Sequence, residues 1–377
     1  MPRYSNDTSP LRVALDARPL TTSHAGIAVY CRDLMHGFNS LEDDLSVLLY
    51  AKEPPPPDLA LGPSLQWRTM PAPLWLPLAV PRALRAGRVE LFHGTNHMAP
   101  PLDPTPTVVT VHDLSALTMP HFHTWRNRLL TVPQMLASVY RATRLIAISE
   151  FTARELARLP GIDPARIRVV YRTPDPDLAP ASPEVVQELA RRLNLPDAFF
   201  LYLGALEPRK NVVALVRAQG ALRAAGDDRA RLVIAGAAGW KNAEVRQEVE
   251  RLGLAELVTF VGYVDARDLP ALYGAATAFV FPSLFEGFGL PPLEAMACGA
   301  PVICSDAASL PEVVGDAAIL FDPCSEHELA RALRRVLDDA DLRATLRAAG
   351  LARGALFPRE RATRQTLEVY REAVGET

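Results

Sequence analysis

Short apolar runs alternate with helix-period stretches along almost the whole chain. Near-continuous apolar runs at 11–17 (LRVALDA), 45–51 (LSVLLYA), 91–94 (LFHG), 107–113 (TVVTVHD), 144–149 (RLIAIS) and 166–171 (RIRVVY) predict the strands of the first half. Runs without polar alternation are expected where both faces of a sheet are covered, as in parallel sheets. Between the last two, 149–159 (SEFTARELARL) reads as a helix with Ser149 as its N-cap. Residues 172–184 (RTPDPDLAPASPE) are proline-rich and polar and read as a linker. A second series then predicts strands at 199–206, 231–237, 257–264, 279–283 and 301–306. Helices are expected between them at about 211–226, 242–253, 267–276 and 291–298. Two amphipathic helical segments (SEHELARALRRVLDDA and DLRATLRAAGLARGALF) and a final helix from Pro358 complete the pattern.

Two successive βα series predict an α/β chain with two Rossmann-like, doubly wound domains. Such sheets bind ligands at the carboxyl ends of their strands, so the expected site is a cleft between the two domains.

Composition narrows the function classes. The chain has 377 residues, 49% of them hydrophobic, which suits two domains. Its net charge of −3 gives no sign of a nucleic-acid partner. Only Lys52, Lys210 and Lys241 are lysines; the other 37 basic residues are arginines. Cys31, Cys298, Cys304 and Cys324 show no CxxC spacing, so neither a metal site nor a disulfide framework is expected, and scattered thiols suit a reducing cytoplasm. The polar first residues (MPRYSNDTSP) carry no apolar signal core, and no run of about 18 apolar residues occurs.

The stretch 285–299 (FEGFGLPPLEAMACG) holds two glutamates eight residues apart. Gly287 and Gly289 allow a sharp turn after the preceding strand, and Pro291 and Pro292 suit the first turn of a helix. The backbone N–H groups of Phe288, Gly289 and Leu290 would then open a helix, a natural anion site. Glu294, expected in that first turn, would accept hydrogen bonds from a sugar diol, and Glu286 would face the same space. A carboxylate in a first turn is also favourable for the helix dipole alone, so the setting rather than the spacing gives the pair its weight.

A second cluster is 203–211 (LGALEPRKN). Gly204 opens a turn after a strand, and Arg209 and Lys210 stand just before a helix, where two cations can neutralise a diphosphate; a solvated basic loop is the plainer reading. Gly26 precedes a helix in SHAGIAVYCRDL, a weak signal on its own. His93 and His112 fall at strand ends, on the edge where a cleft would lie, as structural histidines or as substrate contacts.

Together, FEGFGLPPLEAMACGAPVICSD, GALEPRKN, HGTNHMAPP and TVHDLS resemble the retaining nucleotide-sugar glycosyltransferases of family 4, which have the GT-B fold. The resemblance covers nearly the whole chain and is strongest for the bacterial mannosyltransferases of O-antigen and exopolysaccharide assembly. It implies an acceptor-side domain over 1–175, a nucleotide-sugar donor domain over 176–357 and a helix over 358–377 packing back on the first domain. It implies that Glu286 lies against the donor sugar, Glu294 on the ribose hydroxyls, Arg209 and Lys210 on the diphosphate, and His112 near the reaction centre. Gly26, Gly204, Phe288, Gly289 and Leu290 would line the donor site. The donor implied by the branch is GDP-mannose, the acceptor a glycan or lipid-linked glycan, with no metal and no other cofactor, in the cytoplasm. A sugar phosphorylase, a soluble-disaccharide synthase or a non-catalytic nucleotide-sugar-binding subunit are the competing readings.

The chain departs from that family in places. HAGIAVY has Ala28 and Val29 where many relatives carry a second glycine and an arginine. Ala205 stands where some have arginine, and YRTPDPD replaces the usual turn before the linker. Residues 121–144 mix Trp125, Leu129 and Leu130 with Arg126, Arg128, Arg141 and Arg144. That stretch reads either as a helix resting on an anionic membrane surface or as a plain amphipathic core helix.

Overall fold

The computed structural model describes residues 10–22, 25–41, 44–229, 231–236 and 242–375. Lys241, His24 and the end of the strand expected at 231–237 lie outside the described residues. The chain divides into two compact units: 1–173 with 359–377, and 174–358.

The first unit contains strands β1 (Leu11–Asp16), β2 (Leu45–Ala51), β3 (Leu65–Thr69), β4 (Leu91–Gly94), β5 (Thr107–Val111), β6 (Arg144–Ala147) and β7 (Ile167–Val169). Its helices are α1 (Ala25–Phe38), α2 (Val80–Ala86), α3 (Ser115–Thr118), α4 (Trp125–Arg141) and α5 (Glu150–Ala157). Among the described residues the strands form one parallel sheet in the order β3-β2-β1-β4-β5-β6-β7. Ser149 caps α5, its hydroxyl accepting from the Thr152 N–H.

The second unit contains β8 (Phe199–Leu203), β9 (Arg231–Ala235), β10 (Val258–Gly262), β11 (Ala278–Phe281), β12 (Val302–Ser305) and β13 (Ala318–Phe321). They form a parallel sheet in the order β10-β9-β8-β11-β12-β13. The helices are α6 (Pro183–Arg192), α7 (Val212–Ala224), α8 (Asn242–Arg251), α9 (Leu269–Ala275), α10 (Leu290–Ala297), α11 (Leu310–Val314), α12 (Glu326–Asp338) and α13 (Ala340–Gly354). In α12 the buried residues Leu329, Ala332, Leu333 and Val336 follow the i, i+3, i+4, i+7 stripe, while Ser325 caps the helix by accepting from the Glu328 N–H. In each sheet the chain starts near the middle and reverses direction once. The reversal points, β1/β4 and β8/β11, are where such sheets leave a crevice for ligands.

The last helix, α14 (Arg359–Val374), belongs to the first unit. It buries Leu367, Val369, Tyr370 and Ala373, the Tyr370 ring lying 5.9 Å from that of Phe38 on α1. Its approach to α1 is close: a Cβ on Gly37 would stand 2.0 Å from the Thr363 hydroxyl. Glu372 adds ion pairs to Arg144 (3.0 Å) and Arg168 (2.8 Å).

This helix corrects the placement of His93. The residue is not on an edge but wholly buried within β4. Its Nδ1 lies 2.6 Å from the Tyr370 hydroxyl and its Nε2 2.8 Å from the Thr110 hydroxyl, which meets the Tyr30 hydroxyl at 2.8 Å. The ring thereby ties β4, β5, α1 and α14 together. Burial pushes its pKa down to about 3. An unfolded histidine binds a proton below about pH 6.5 while this one does not, so acid favours the unfolded chain. Stability should fall as the pH drops from about 6 to about 4, with His93 contributing up to about 1.4 kcal/mol per pH unit. Urea unfolding of the protein and of His93→Gln over that range checks this: the variant's pH slope should be shallower by that amount.

The two strands that the apolar pattern did not predict, β3 and β13, are both sheet edges. β3 (LQWRT) buries only Leu65, and β13 (AILF) only Phe321. The segment read as a linker ends in structure, because α6 starts at Pro183, where proline is tolerated in a first turn. No helix among the described residues is long and apolar enough to cross a membrane.

Candidate active site

The reversal point of the second sheet brings together the loops after β8 and β11. After β8, Gly204 adopts φ 155° and the chain turns through a short 3-10 segment, Pro208–Lys210. After β11, Leu284 donates its N–H to the Arg209 carbonyl at 2.9 Å, joining the two loops. Arg209, Lys210 and Glu286 thus become neighbours although they lie more than 70 residues apart in the chain.

Lys210 Nζ donates to Glu286 Oε1 at 2.6 Å, and Arg209 Nη1 to Oε2 at 3.2 Å and to the Phe285 carbonyl at 2.6 Å. The Ser283 hydroxyl, fully buried, adds a third donor to Glu286 Oε1 at 2.6 Å. The side chains of Glu286, Lys210 and Arg209 are only 11%, 14% and 20% exposed, so this is not a solvent-screened surface pair. Burial alone would raise the Glu286 pKa; Lys210 and Arg209 outweigh it and hold the carboxyl below its ordinary value. Both cations converge on the Glu286 carboxylate, and Glu207 stands 4.0 Å from Arg209 on its more exposed side. The sequence suggested separate tasks for Glu286 and the two cations; the structure shows one bonded cluster.

Gly289 is required at its position twice over. Its φ is 105°, and a Cβ there would stand 2.5 Å from Leu310 Cδ2. It caps α10, whose first residue is Leu290. Pro291 and Pro292 follow and carry no N–H, so the backbone donors at this helix start come from Leu290 and the residues before it. The Phe288 side chain packs in the core, its ring 5.9 Å from that of Phe357, and its carbonyl accepts from the Ser309 hydroxyl at 2.7 Å. The same hydroxyl donates to the Glu286 carbonyl at 2.8 Å and so fixes both sides of the glycine turn.

Glu294 does not lie in the first turn of α10 as expected, but one turn further along. It is half-buried, and its Oε2 accepts from the Tyr273 hydroxyl at 3.3 Å. Tyr273 is fully buried; burial, then the Glu294 charge, pushes its hydroxyl pKa well up, so it stays a donor. Neither Tyr273 nor the serines at 283 and 309 was distinguishable in the sequence.

In the first unit, His112 follows β5 and is 8% exposed. Its Nε2 donates to the Thr95 carbonyl at 2.8 Å, and its ring meets those of Tyr30 and His97 edge-on at 5.0 and 5.4 Å. Burial, then the neighbouring His97 and Arg172, lowers its pKa to about 3. It is therefore a neutral imidazole at physiological pH, with Nδ1 as its acceptor. Gly26 is not ahead of the helix but inside the first turn of α1, exposed, with open space around a Cβ and no positive φ. Nothing in its packing requires glycine.

Both halves of the chain match described families. Residues 24–178 match "Glycosyltransferase Family 4" and residues 187–353 match "Glycosyl transferases group 1". The O-antigen chain mannosyltransferase B of Escherichia coli is 36% identical over 291 residues, 77% of this chain and 76% of that one. The serotype-specific mannosyltransferase WbdA of Escherichia coli is 37% identical over 226 residues, 59% of this chain but only 28% of that longer protein. Among solved structures, the sucrose-phosphate synthase of Thermosynechococcus elongatus superposes with a TM-score of 0.78 at 22% identity, covering 98% of this chain and all of that one.

Two parallel Rossmann-like sheets in one chain, and the likeness to that solved structure, define the GT-B fold; the two family matches make the chain a glycosyltransferase. The family matches and the mannosyltransferase relative are narrower still: the chain belongs to glycosyltransferase family 4.

Proposed function

We propose that the enzyme transfers mannose from GDP-mannose to a glycan or lipid-linked glycan of a cell-surface polysaccharide, with retention at the anomeric carbon. The observation that carries this reading is the Lys210–Glu286–Arg209 cluster beside the start of α10. Negative charge develops on the departing diphosphate, and two cations plus the N–H groups of Gly289 and Leu290 would hold it more tightly in the transition state than in the ground state. Positive charge develops on the sugar ring, and the Glu286 carboxylate would offset it. Glu294, held by Tyr273, would accept from the ribose hydroxyls. Neutral His112 would accept a hydrogen bond from a sugar hydroxyl at Nδ1 rather than supply a charge. The choice of mannose follows the relatedness to the O-antigen mannosyltransferase.

A donor screen tests this. Nucleotide release is followed with GDP-, UDP- and dTDP-sugars, and products are analysed by mass. GDP-mannose should be turned over fastest, with one hexose added per event. Faster release from a UDP-sugar would overturn the donor assignment, sugar-phosphate formation from phosphate would indicate a phosphorylase, and no release from any donor would indicate a non-catalytic subunit.

The reading also places the enzyme on an anionic membrane surface through α4. The C-terminal half of this helix is core, with Met135, Ser138 and Val139 buried. Its N-terminal half instead exposes Trp125, Leu129 and Leu130 by 68%, 65% and 66%. The helix has no acidic residue and carries Arg126, Arg128 and Arg141. Apolar side chains beside cations suit a bilayer interface, and the electrostatic part should weaken with salt. Co-sedimentation with phosphatidylglycerol-containing vesicles should be reduced several-fold by Trp125→Ala with Leu129→Ala. Equal binding to neutral phosphatidylcholine vesicles, or none, would contradict it.

A further inference from the structure

The second unit has a cavity on the side of its sheet away from the candidate active site. It measures about 420 Å³ and lies at the amino ends of β8, β11 and β12, where Ala198, Thr277 and Pro301 directly precede those strands. Its polar lining is Thr277, Arg229, Arg343 and Arg347. Arg229 is committed: Nε and Nη2 donate to the two Asp227 carboxylate oxygens at 2.8 and 2.7 Å, and Nη2 also to Asp338 Oδ1 at 2.6 Å. Arg343 uses only Nη1, which donates to the Val336 and Leu337 carbonyls in the last turn of α12 at 2.6 and 3.1 Å. The Arg347 side chain has no hydrogen bond or ion pair, and the Thr277 hydroxyl no hydrogen bond, among the described residues.

Arg343 and Arg347 are four residues apart on α13, so their side chains share one face of that helix, and like charges at that spacing repel. No carboxylate relieves them. Asp227 and Asp338 bind Arg229, Asp339 caps α13 by accepting from the Leu342 N–H, and neither Arg343 nor Arg347 has an ion pair among the described residues. The Arg347 guanidinium is seated over Gly299, just past the end of α10: a Cβ there would stand 3.2 Å from Cζ. The helix that carries both arginines is itself held close to α10, since a Cβ on Gly350 would stand 3.2 Å from Met296 Cγ. Two unpaired cations are thus fixed in place at one cavity, with a hydroxyl donor beside them. That set matches the double charge and three acceptor oxygens of a phosphate monoester. Ala276, Pro301 and Leu337 add apolar wall for an organic substituent, and the volume falls within the roughly 300–1,000 Å³ usual for small-molecule sites.

We propose that this cavity is an anion site separate from the Lys210–Glu286–Arg209 cluster, and that it binds the phosphate monoester group of a small soluble molecule or of a lipid headgroup. It stands on the cavity's own residues and does not depend on the glycosyl-transfer reading.

The test uses glycerol phosphate as probe on the full-length enzyme, with binding read by phosphorus NMR line broadening. Arg347→Ala places a good helix former at an exposed position and should weaken binding by roughly 10-fold or more, the effect of losing a hydrogen bond from a charged donor. Thr277→Val should weaken it several-fold, and Lys210→Ala should leave it as in the parent. The probe should raise the thermal midpoint of the parent but not that of Arg347→Ala, and glycerol should do neither. Phosphatidylcholine vesicles carrying phosphatidic acid distinguish the two carriers of the phosphate. Co-sedimentation that falls in Arg347→Ala assigns the site to a lipid headgroup; equal co-sedimentation of both proteins assigns it to a soluble ester. Probe affinity unchanged in both Arg347→Ala and Thr277→Val would overturn the proposal. So would a loss confined to Lys210→Ala, which would place the phosphate at the start of α10 instead.

Discussion

Lys210→Ala should lower kcat by about 10² or more with the correct donor, the scale of losing one preorganised contact to transition-state charge. Lys210 Nζ is held at 2.6 Å from Glu286 Oε1 and 5.0 Å from the centre of the Phe281 ring, so little reorganisation separates the resting cluster from one that meets a diphosphate. The loss should fall mainly on kcat, and on kcat/KM with it, because the additional charge on the diphosphate develops only as the sugar departs. Some stability should go as well. A buried carboxylate that loses one ion-pair partner is costly, but Arg209 and Ser283 still hold Glu286, so the cost should stay below the roughly 3–5 kcal/mol of a fully broken buried pair. Steady-state kinetics and a thermal melt on the same preparation separate the two effects. Unchanged turnover would remove Lys210 from the chemistry.

Glu286→Gln should separate binding from catalysis. Glutamine keeps the shape and can still accept from Ser283, but it no longer neutralises Lys210 and Arg209. Their charge becomes more available to a diphosphate, with only Glu207 left beside Arg209, so GDP should bind as tightly as to the parent or tighter. Turnover should nevertheless fall by about 10²-fold, because the negative charge beside the developing positive sugar ring is gone. Calorimetry for GDP and initial rates for transfer check the two halves. Parental turnover in the variant would show that Glu286 only positions the cations.

Much of the local geometry of the candidate site was legible in the sequence because its determinants are local. A glycine forced by φ and by Leu310, followed by two prolines at a helix start, is turn chemistry written within a few residues. What the sequence hid are the long-range polar partners. Tyr273 reaches Glu294 from another helix, and Ser309 secures the glycine turn from beyond β12. Nothing in their own neighbourhoods marks them. The histidines show the same limit. His93 and His112 look alike as residues at strand ends and both are buried, yet one is a core tie to Tyr370, 277 residues away, and the other holds the Thr95 carbonyl beside Tyr30 and His97. Two of the four edge strands escaped: β3 (LQWRT) mixes polar and apolar residues and buries only Leu65, and β13 (AILF) is apolar but only four residues long.

The resting cluster also recasts the pair of glutamates. Glu286 is committed to two cations and a serine, and Glu294 to a tyrosine; they sit in different hydrogen-bond sets and do not form an acid–base couple. On the proposed reading, the chemistry of the leaving group would rest on Lys210, Arg209 and the opening of α10.

The most direct measurement is a calorimetric titration of GDP into the enzyme in the presence of EDTA, beside the same titration into Lys210→Ala. The account predicts binding without any divalent ion, weakened at least 10-fold by the substitution, since the protein's own cations hold the diphosphate. Binding that requires a divalent ion, or that is the same in both proteins, would contradict it.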